Sequence, residues 1–132
     1  MKKILIIDDE ESFCSLVKLN LERCTNWSVS VATNGSDGIA LACSLKPDLI
    51  LLDLLMPGIS GYDVKRALKN NPMTRNIPVI LLTALSVEEA EIITQDCIED
   101  YPVKPVSLER LKKAVEKLLS VTDSGSIGHS SE

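Results

Sequence analysis

Leu49-Ile50-Leu51-Leu52-Asp53 decides how this chain folds. Four branched apolar residues stand in succession, without the polar alternation of a half-solvated strand, and a carboxylate ends the run. A strand of that kind is covered on both faces, which is the condition of strands in parallel sheets wrapped by helices. Ile4 to Ile7 repeats the pattern and leads into Asp8 and Asp9. Val79 to Leu82 repeats it after Pro78, a residue tolerated at the first position of a strand. Trp27 to Ala32 alternates more and reads as a strand toward an edge, and a short fifth strand is expected near Asp100 to Val103.

Helical patterns fill the intervals. Phe13, Leu16, Val17 and Leu21 recur at three- and four-residue steps, and Ile39, Ala42 and Cys43 do the same. Tyr62, Val64, Ala67 and Leu68 follow less cleanly, and the stretch from Ser86 to Cys97 is weakly patterned. Leu108, Leu111, Val115, Leu118 and Leu119 form the best stripe, with Ser107 placed as its N-cap. Strand and helix thus alternate five times, which predicts an α/β fold: a doubly wound five-stranded parallel sheet with five helices and right-handed crossovers. After Leu119 the periodicity stops, so residues 1–119 read as one domain and 120–132 as a mobile Ser/Gly-rich tail or linker.

At 132 residues the chain has the length of one compact domain, and its 45% apolar content is enough for a core. The formal net charge of -5 gives no bulk attraction to nucleic acid or to an anionic membrane surface. No apolar run is long enough to span a bilayer. Met1-Lys2-Lys3 before Ile4 to Ile7 resembles a signal peptide only superficially, because acidic residues follow at once with no small-residue cleavage site. A cytoplasmic location is expected. The four cysteines, Cys14, Cys24, Cys43 and Cys97, form no CxxC pair and read as reduced thiols. Cys14 and Cys24 share one predicted helix at roughly 15 Å, too far to bridge. His129 lies in the predicted tail and reads as solvated.

Ligands on such sheets bind beyond the carboxyl ends of the strands. Asp8 and Asp9 end the first predicted strand, Asp53 the third and Thr83 the fourth, while Lys104 follows the fifth. All converge on one rim. Singly, each has a plainer explanation: an Asp-Asp pair is often a helix N-cap, an aspartate a turn residue, a lysine a solvated charge. Together they pose an electrostatic problem, since like charges 4 Å apart repel by about 4 kcal/mol at an effective dielectric of 20. Either one carboxylate takes a proton or a cation fills the gap, and oxygen ligands without histidine or thiolate favour Mg²⁺. A carboxylate can also act as a nucleophile and form an aspartyl phosphate. Mg²⁺, the Thr83 hydroxyl and the Lys104 ammonium would then each take one phosphoryl oxygen.

These residues carry a family resemblance. From Lys2 to about Leu119 the chain resembles the response-regulator receiver domain, including the chemotaxis-type single-domain regulators. The matching segments are Ile6-Ile7-Asp8-Asp9-Glu10, Asn34-Gly35, Pro47 through Gly58, Ser60-Gly61, Thr83-Ala84 and Tyr101-Pro102-Val103-Lys104-Pro105. The resemblance implies the flavodoxin-like strand order 2-1-3-4-5 and makes Asp53 the phospho-acceptor. It implies Asp9 as a direct Mg²⁺ ligand, Asp8 as one acting mostly through water, and Leu55 as a ligand through its carbonyl. It further implies that Thr83 and Tyr101 rearrange on phosphorylation, and that the Lys104–Pro105 bond is cis. The implied partners are a sensor histidine kinase or phosphotransfer protein, a downstream output protein or domain, and a second copy of the chain. The output face would be the last two helices and the edge strand, where Lys112, Lys113 and Lys117 stand ready for an acidic partner.

Cys97-Ile98 departs from the Gly-Ala that the family often has there, and the stretch from Thr83 to Lys104 is slightly short. Leu55 and Leu85 are both apolar, which suggests hindrance of an attacking water and a long-lived phosphate. Two rival functions are a Mg²⁺-dependent phosphatase or phosphotransferase and a receiver-shaped module that is not phosphorylated. Against the first stands Leu55, where such hydrolases usually carry a second aspartate. Against the second stands the full set Asp8, Asp9, Asp53, Thr83 and Lys104.

Overall fold

The structure is a computed structural model and describes residues 1–24, 26–82 and 108–131. In chain order the elements are β1 (Lys3–Ile7), α1 (Glu11–Cys24), β2 (Ser28–Ala32), α2 (Gly35–Leu45), β3 (Leu49–Asp53), α3 (Gly61–Lys69), β4 (Val79–Leu82) and α4 (Leu108–Ser131). The four strands form one parallel sheet in the order β2-β1-β3-β4. That is the first four places of the expected 2-1-3-4-5 order. The expected fifth strand, and the helix expected between Ser86 and Cys97, lie outside the described residues.

Strand alternation divides the core in two, because successive side chains point to opposite faces. Ile4, Ile6, Leu49, Leu51, Ile80 and Leu82 pack with Cys14, Val17 and Leu21 of α1 and with Leu111, Val115 and Leu119 of α4. Leu5, Ile7, Ile50, Leu52 and Leu81 pack on the other face with Ala42 of α2 and with Val64 and Leu68 of α3. Each residue of β3 is therefore buried whichever way it points, as the unbroken apolar run predicts. Removing one such side chain to alanine costs about 2–5 kcal/mol in comparable cores. β2 is an edge strand, as its alternation suggested.

Two expectations change. Leu16 is 57% exposed, and Cys14 takes its place in the inward stripe of α1. Each residue turns the helix by about 100°, so Cys14, Val17 and Leu21 line one side while Leu16 lies a third of a turn away. The last helix is also longer than expected: its backbone continues past Leu119 to Ser131, through the stretch read as a tail. Extending an existing helix gains one hydrogen bond for each residue fixed, so the backbone can continue beyond its apolar anchors.

Local chemistry sets the other ends. Asn34 caps α2 by accepting the Asp37 N–H at 2.8 Å, and Ser60 caps α3 by accepting the Asp63 N–H at 3.2 Å. The Thr74 hydroxyl, buried, donates to the Leu68 carbonyl at 2.7 Å near the end of α3. On the α1 side, Glu22 accepts the Val29 N–H at 2.9 Å and pairs with Lys18 at 3.0 Å, while Lys18 donates to the Val29 carbonyl at 2.6 Å. The two contacts with Val29 pin α1 to β2, and the Lys18–Glu22 pair holds both side chains in place for them.

Gly61 is fixed by space. Its N–H donates to the Leu54 carbonyl at 3.0 Å, so the first residue of α3 lies against the end of β3. A methyl group there would stand 2.6 Å from the Leu54 Cα and 2.7 Å from the Asp53 carbonyl carbon, and against the Asp53 carbonyl oxygen as well. All three are backbone atoms that no rotamer change can clear. Gly61→Ala should therefore lower stability by about 1–3 kcal/mol or more, read as a reduced urea midpoint. An unchanged midpoint would show that α3 can shift freely against β3.

A second prediction concerns acid. The Val29 amide, and after it Lys18, hold the Glu22 carboxyl below its ordinary value near 4.5. A depressed folded value gives stability that is fully present above the ordinary value and is lost as pH falls through the depressed one. Glu22→Gln should thus be less stable than wild type at neutral pH, with the gap closing in acid. The gap should be small, since Lys18 and Glu22 are 45% and 35% exposed and screened by solvent. A gap that widens on acidification would contradict this assignment.

Candidate functional site

The carboxyl ends of β1 and β3 carry two aspartates on one face of the sheet. The ladder runs one residue past β1, where the Asp8 N–H donates to the Ala32 carbonyl at 3.0 Å. Asp8 follows Ile4 and Ile6 in strand alternation, and Asp53 follows Leu49 and Leu51; those four side chains share the α1 face. The register pairs Ile7 with Leu52, so the next step sets Asp8 beside Asp53. Both are almost wholly buried, at 0% and 4% exposure.

Short hydrogen bonds hold these carboxylates and the turns behind them. Asp8 Oδ1 accepts the Glu10 N–H at 2.9 Å, which bends the chain from β1 toward α1. The Cys14 thiol donates to the Asp8 carbonyl at 3.3 Å. Asp53 Oδ1 accepts the Leu55 N–H at 3.2 Å, and the Leu54 N–H donates to the Leu82 carbonyl at 3.0 Å, carrying the sheet past Asp53. The Cys14 N–H donates to the Glu10 carbonyl at 3.0 Å, so the first turn of α1 closes beside the same carboxylates. A helix N-terminus there is favourable to negative charge.

Carboxylate oxygens of Asp8, Glu10 and Asp53 all lie within 4.8 Å of one another. At that spacing each pair of charges repels by about 3.5 kcal/mol at an effective dielectric of 20. A divalent cation relieves all three repulsions at once. The donor set is all carboxylate oxygen, with no histidine or cysteine in the group, which suits a hard ion such as Mg²⁺.

Among the expected ligands, Asp8 and Asp53 are brought together. Asp9 is exposed and stands outside the group of three, while Glu10, to which the sequence reading gave no role, stands inside it. Glu10 joins the group through the turn, where its N–H bonds to Asp8 Oδ1 just beyond the end of β1. Leu55 meets Asp53 through its N–H, and its side chain is 50% exposed at the rim. Thr83, Leu85, Tyr101, Lys104 and Pro105 lie outside the described residues, and so does Cys97. Among the described residues, neither Cys14 nor Cys43 is in a disulfide. No helix among the described residues is long and apolar enough to cross a membrane.

Comparison with known proteins agrees with this geometry. Residues 4–116 match the family model of the response regulator receiver domain. The chain is 41% identical over 124 residues to the DNA-binding dual master transcriptional regulator RpaA of Synechocystis, covering 93% of this chain and 51% of that protein. It is 36% identical over 121 residues to the protein PilH of Pseudomonas aeruginosa, covering 91% of this chain and 99% of that one. It spans only 29% of the response regulator PleD of Caulobacter vibrioides, so the share of a relative that it covers runs from under a third to nearly all. Among solved structures, the receiver domain of the Francisella response regulator 1452 superposes with a TM-score of 0.81 at 28% identity, over 92% of this chain and 99% of that one. A parallel sheet carrying buried carboxylates at the ends of adjacent strands, and a family match over most of its length, place this chain in the response regulator receiver domain family of two-component systems.

Proposed function

We propose that the chain is a phosphorylation switch in which Asp53 receives a phosphoryl group from a sensor histidine kinase or a phosphotransfer protein. The observation that carries this reading is the placement of Asp53: a buried carboxylate at a strand end, steadied by the Leu55 N–H and crowded by Asp8 and Glu10. An Asp53 oxygen attacks phosphorus as the bond from phosphorus to the donor's imidazole nitrogen breaks. The nitrogen leaves with the bonding pair and the transferred group stays on Asp53 as an acyl phosphate. Bound Mg²⁺ supplies charge neutralisation to the phosphoryl oxygens. Asp8 and Asp53 hold it, with a third carboxylate from Asp9, as in the family pattern, or from Glu10, and with the Leu55 carbonyl. The chain acts only on its own phosphorylation and dephosphorylation.

Thr83 and Lys104 complete the site by contacting the phosphoryl oxygens, and Tyr101 turns inward with Thr83. The family resemblance further implies a cis Lys104–Pro105 bond, a fifth strand and a fifth helix, all of which fall outside the described residues. Phosphorylation raises the charge at Asp53 from one to about two and adds acceptor oxygens, by analogy with other phospho-residues. Such a change acts by favouring one of two arrangements, and a swing from 1% to 99% takes about 5.5 kcal/mol of preference. The face of the last two helices and the edge strand then meets an output protein or domain, or a second copy. The domain itself makes no contact with nucleic acid or membrane, and it works in the cytoplasm.

Incubation with Mg²⁺ and acetyl phosphate, followed by intact mass, tests this directly. Wild type should gain one phosphoryl group and Asp53→Asn none. A folded, Mg²⁺-binding wild type that gains nothing, even from a histidine kinase, would instead favour an interaction module that works unphosphorylated.

The same assay followed over time probes Leu55. Its exposed side chain stands on the rim beside Asp53, where a hydrolytic water must arrive. Leu55→Asn should shorten the phosphate lifetime severalfold. A lifetime equal to that of wild type would remove Leu55 from this role.

A further inference from the structure

The chain between Leu54 and Gly61 shapes one side of the Asp53 site, and it is tied at few points. The Gly61 N–H donates to the Leu54 carbonyl at 3.0 Å, so residues 55–60 form a loop closed at its base. Within it Leu55 donates its N–H to Asp53 Oδ1 and Met56 is buried, while Pro57 and Gly58 are exposed. Gly58 takes a φ of 76°, open to glycine at no steric cost, and a Cβ there would meet nothing within 4 Å. The tip of the loop thus stands in solvent, and the chain returns at Ile59.

Ile59 comes to rest on Gly35, the first residue of α2. Gly35 is buried, and a Cβ there would stand 3.1 Å from both Cβ and Cγ2 of Ile59 and 2.8 Å from Cγ2 of Val64. Carbon atoms in ordinary contact lie about 3.5–4.0 Å apart. A rotamer change moves Cγ2 of Ile59 but not its Cβ, which travels only with the loop backbone. The α2 side is stiffer. Asn34 caps the helix by accepting the Asp37 N–H, and a Cβ at Gly38 would stand 2.7 Å from Ile7 Cδ1, so α2 lies close against the buried strand β1. Between a helix packed on the core and a loop whose tip is in solvent, the loop gives way.

We propose that Gly35 is a positioning residue for phosphoryl transfer: acting through Ile59, its bare backbone sets the height of loop 55–60 and with it the aim of Leu55 at Asp53. The proposal rests on the phospho-acceptor role of Asp53 and adds a residue on another element that tunes it. With Gly61 held on Leu54 at the base, a push on Ile59 passes along the loop toward Leu55. A methyl group at position 35 forces Ile59 back by a few tenths of an ångström to restore ordinary contact. A misplacement of about 1 Å can cost about a hundredfold in rate, so that smaller shift should slow phosphorylation about three- to fivefold.

The test is a double-mutant cycle on the full chain. The initial rate with acetyl phosphate at saturating Mg²⁺ is read by intact mass, urea midpoints confirm folding, and exchange of the Leu55 amide proton is followed by NMR. Gly35→Ala should slow phosphorylation about three- to fivefold and speed the Leu55 exchange. In an Ile59→Gly background, which removes both touching carbons, Gly35→Ala should change either rate less than about twofold, the scatter of independent sites. In a Val64→Ala background the full slowing should remain, because relief in α3 leaves the loop displaced. A wild-type rate in folded Gly35→Ala, equal slowing in the Ile59→Gly background, or slowing abolished by Val64→Ala would each overturn the proposal. A wild-type chain that accepts no phosphoryl group would overturn the phospho-acceptor reading and the rate effect with it, while the Leu55 exchange still decides whether Gly35 governs the loop.

Discussion

Like charge, crowded where a parallel sheet ends, is the constraint on which this molecule turns. Asp8 and Asp53 are buried side by side because their strands are neighbours and because both follow apolar residues of the same face. Burial of two carboxylates, with Glu10 close by, opposes folding unless hydrogen bonds or a cation offset it. The hydrogen bonds come from the amides of Glu10 and Leu55, which are the turns leaving β1 and β3. The loops that shape the site are thus the same loops that make its charges tolerable.

The rest of the fold serves to hold that rim. The two faces of β1 and β3 are packed by different helix pairs, so neither strand can slide without exposing a full set of leucines and isoleucines on both sides. Gly61 lets α3 begin directly against the backbone of Asp53 and Leu54, which links the acceptor to a helix without an intervening side chain. The Lys18–Glu22 pair fastens α1 to β2 at the end of the sheet away from the carboxylates. Stability and site are in this way separated along the strands: apolar packing through the middle, charge at one end.

Much of this was legible in the residues. The unbroken runs Ile4–Ile7, Leu49–Leu52 and Val79–Leu82 marked the buried strands, and Asp8 and Asp53 stood out by their position where those runs end. Less legible were features that depend on where a turn directs the chain. Leu16 was expected inside because it is apolar and well spaced, yet Cys14 is the residue that faces the sheet, since the orientation of α1 is set by packing rather than by hydropathy. The reach of α4 to Ser131 was hidden because serine and glycine carry no apolar period for a reader to follow.

By itself the sequence determined the class of fold, the order of its elements and the chemistry of the rim, because side-chain alternation and helical periodicity are properties of the chain that no distant contact can change. Only the tertiary structure decided which carboxylates meet. Asp9 and Glu10 are neighbours of equal charge, and which of them lies by Asp8 and Asp53 depends on a turn where the Glu10 N–H donates to Asp8 Oδ1 and the Glu10 carbonyl accepts from Cys14. It depends equally on a register that brings Asp53 across from β3. Those are relations between segments some forty residues apart, and they exist only once the sheet has formed.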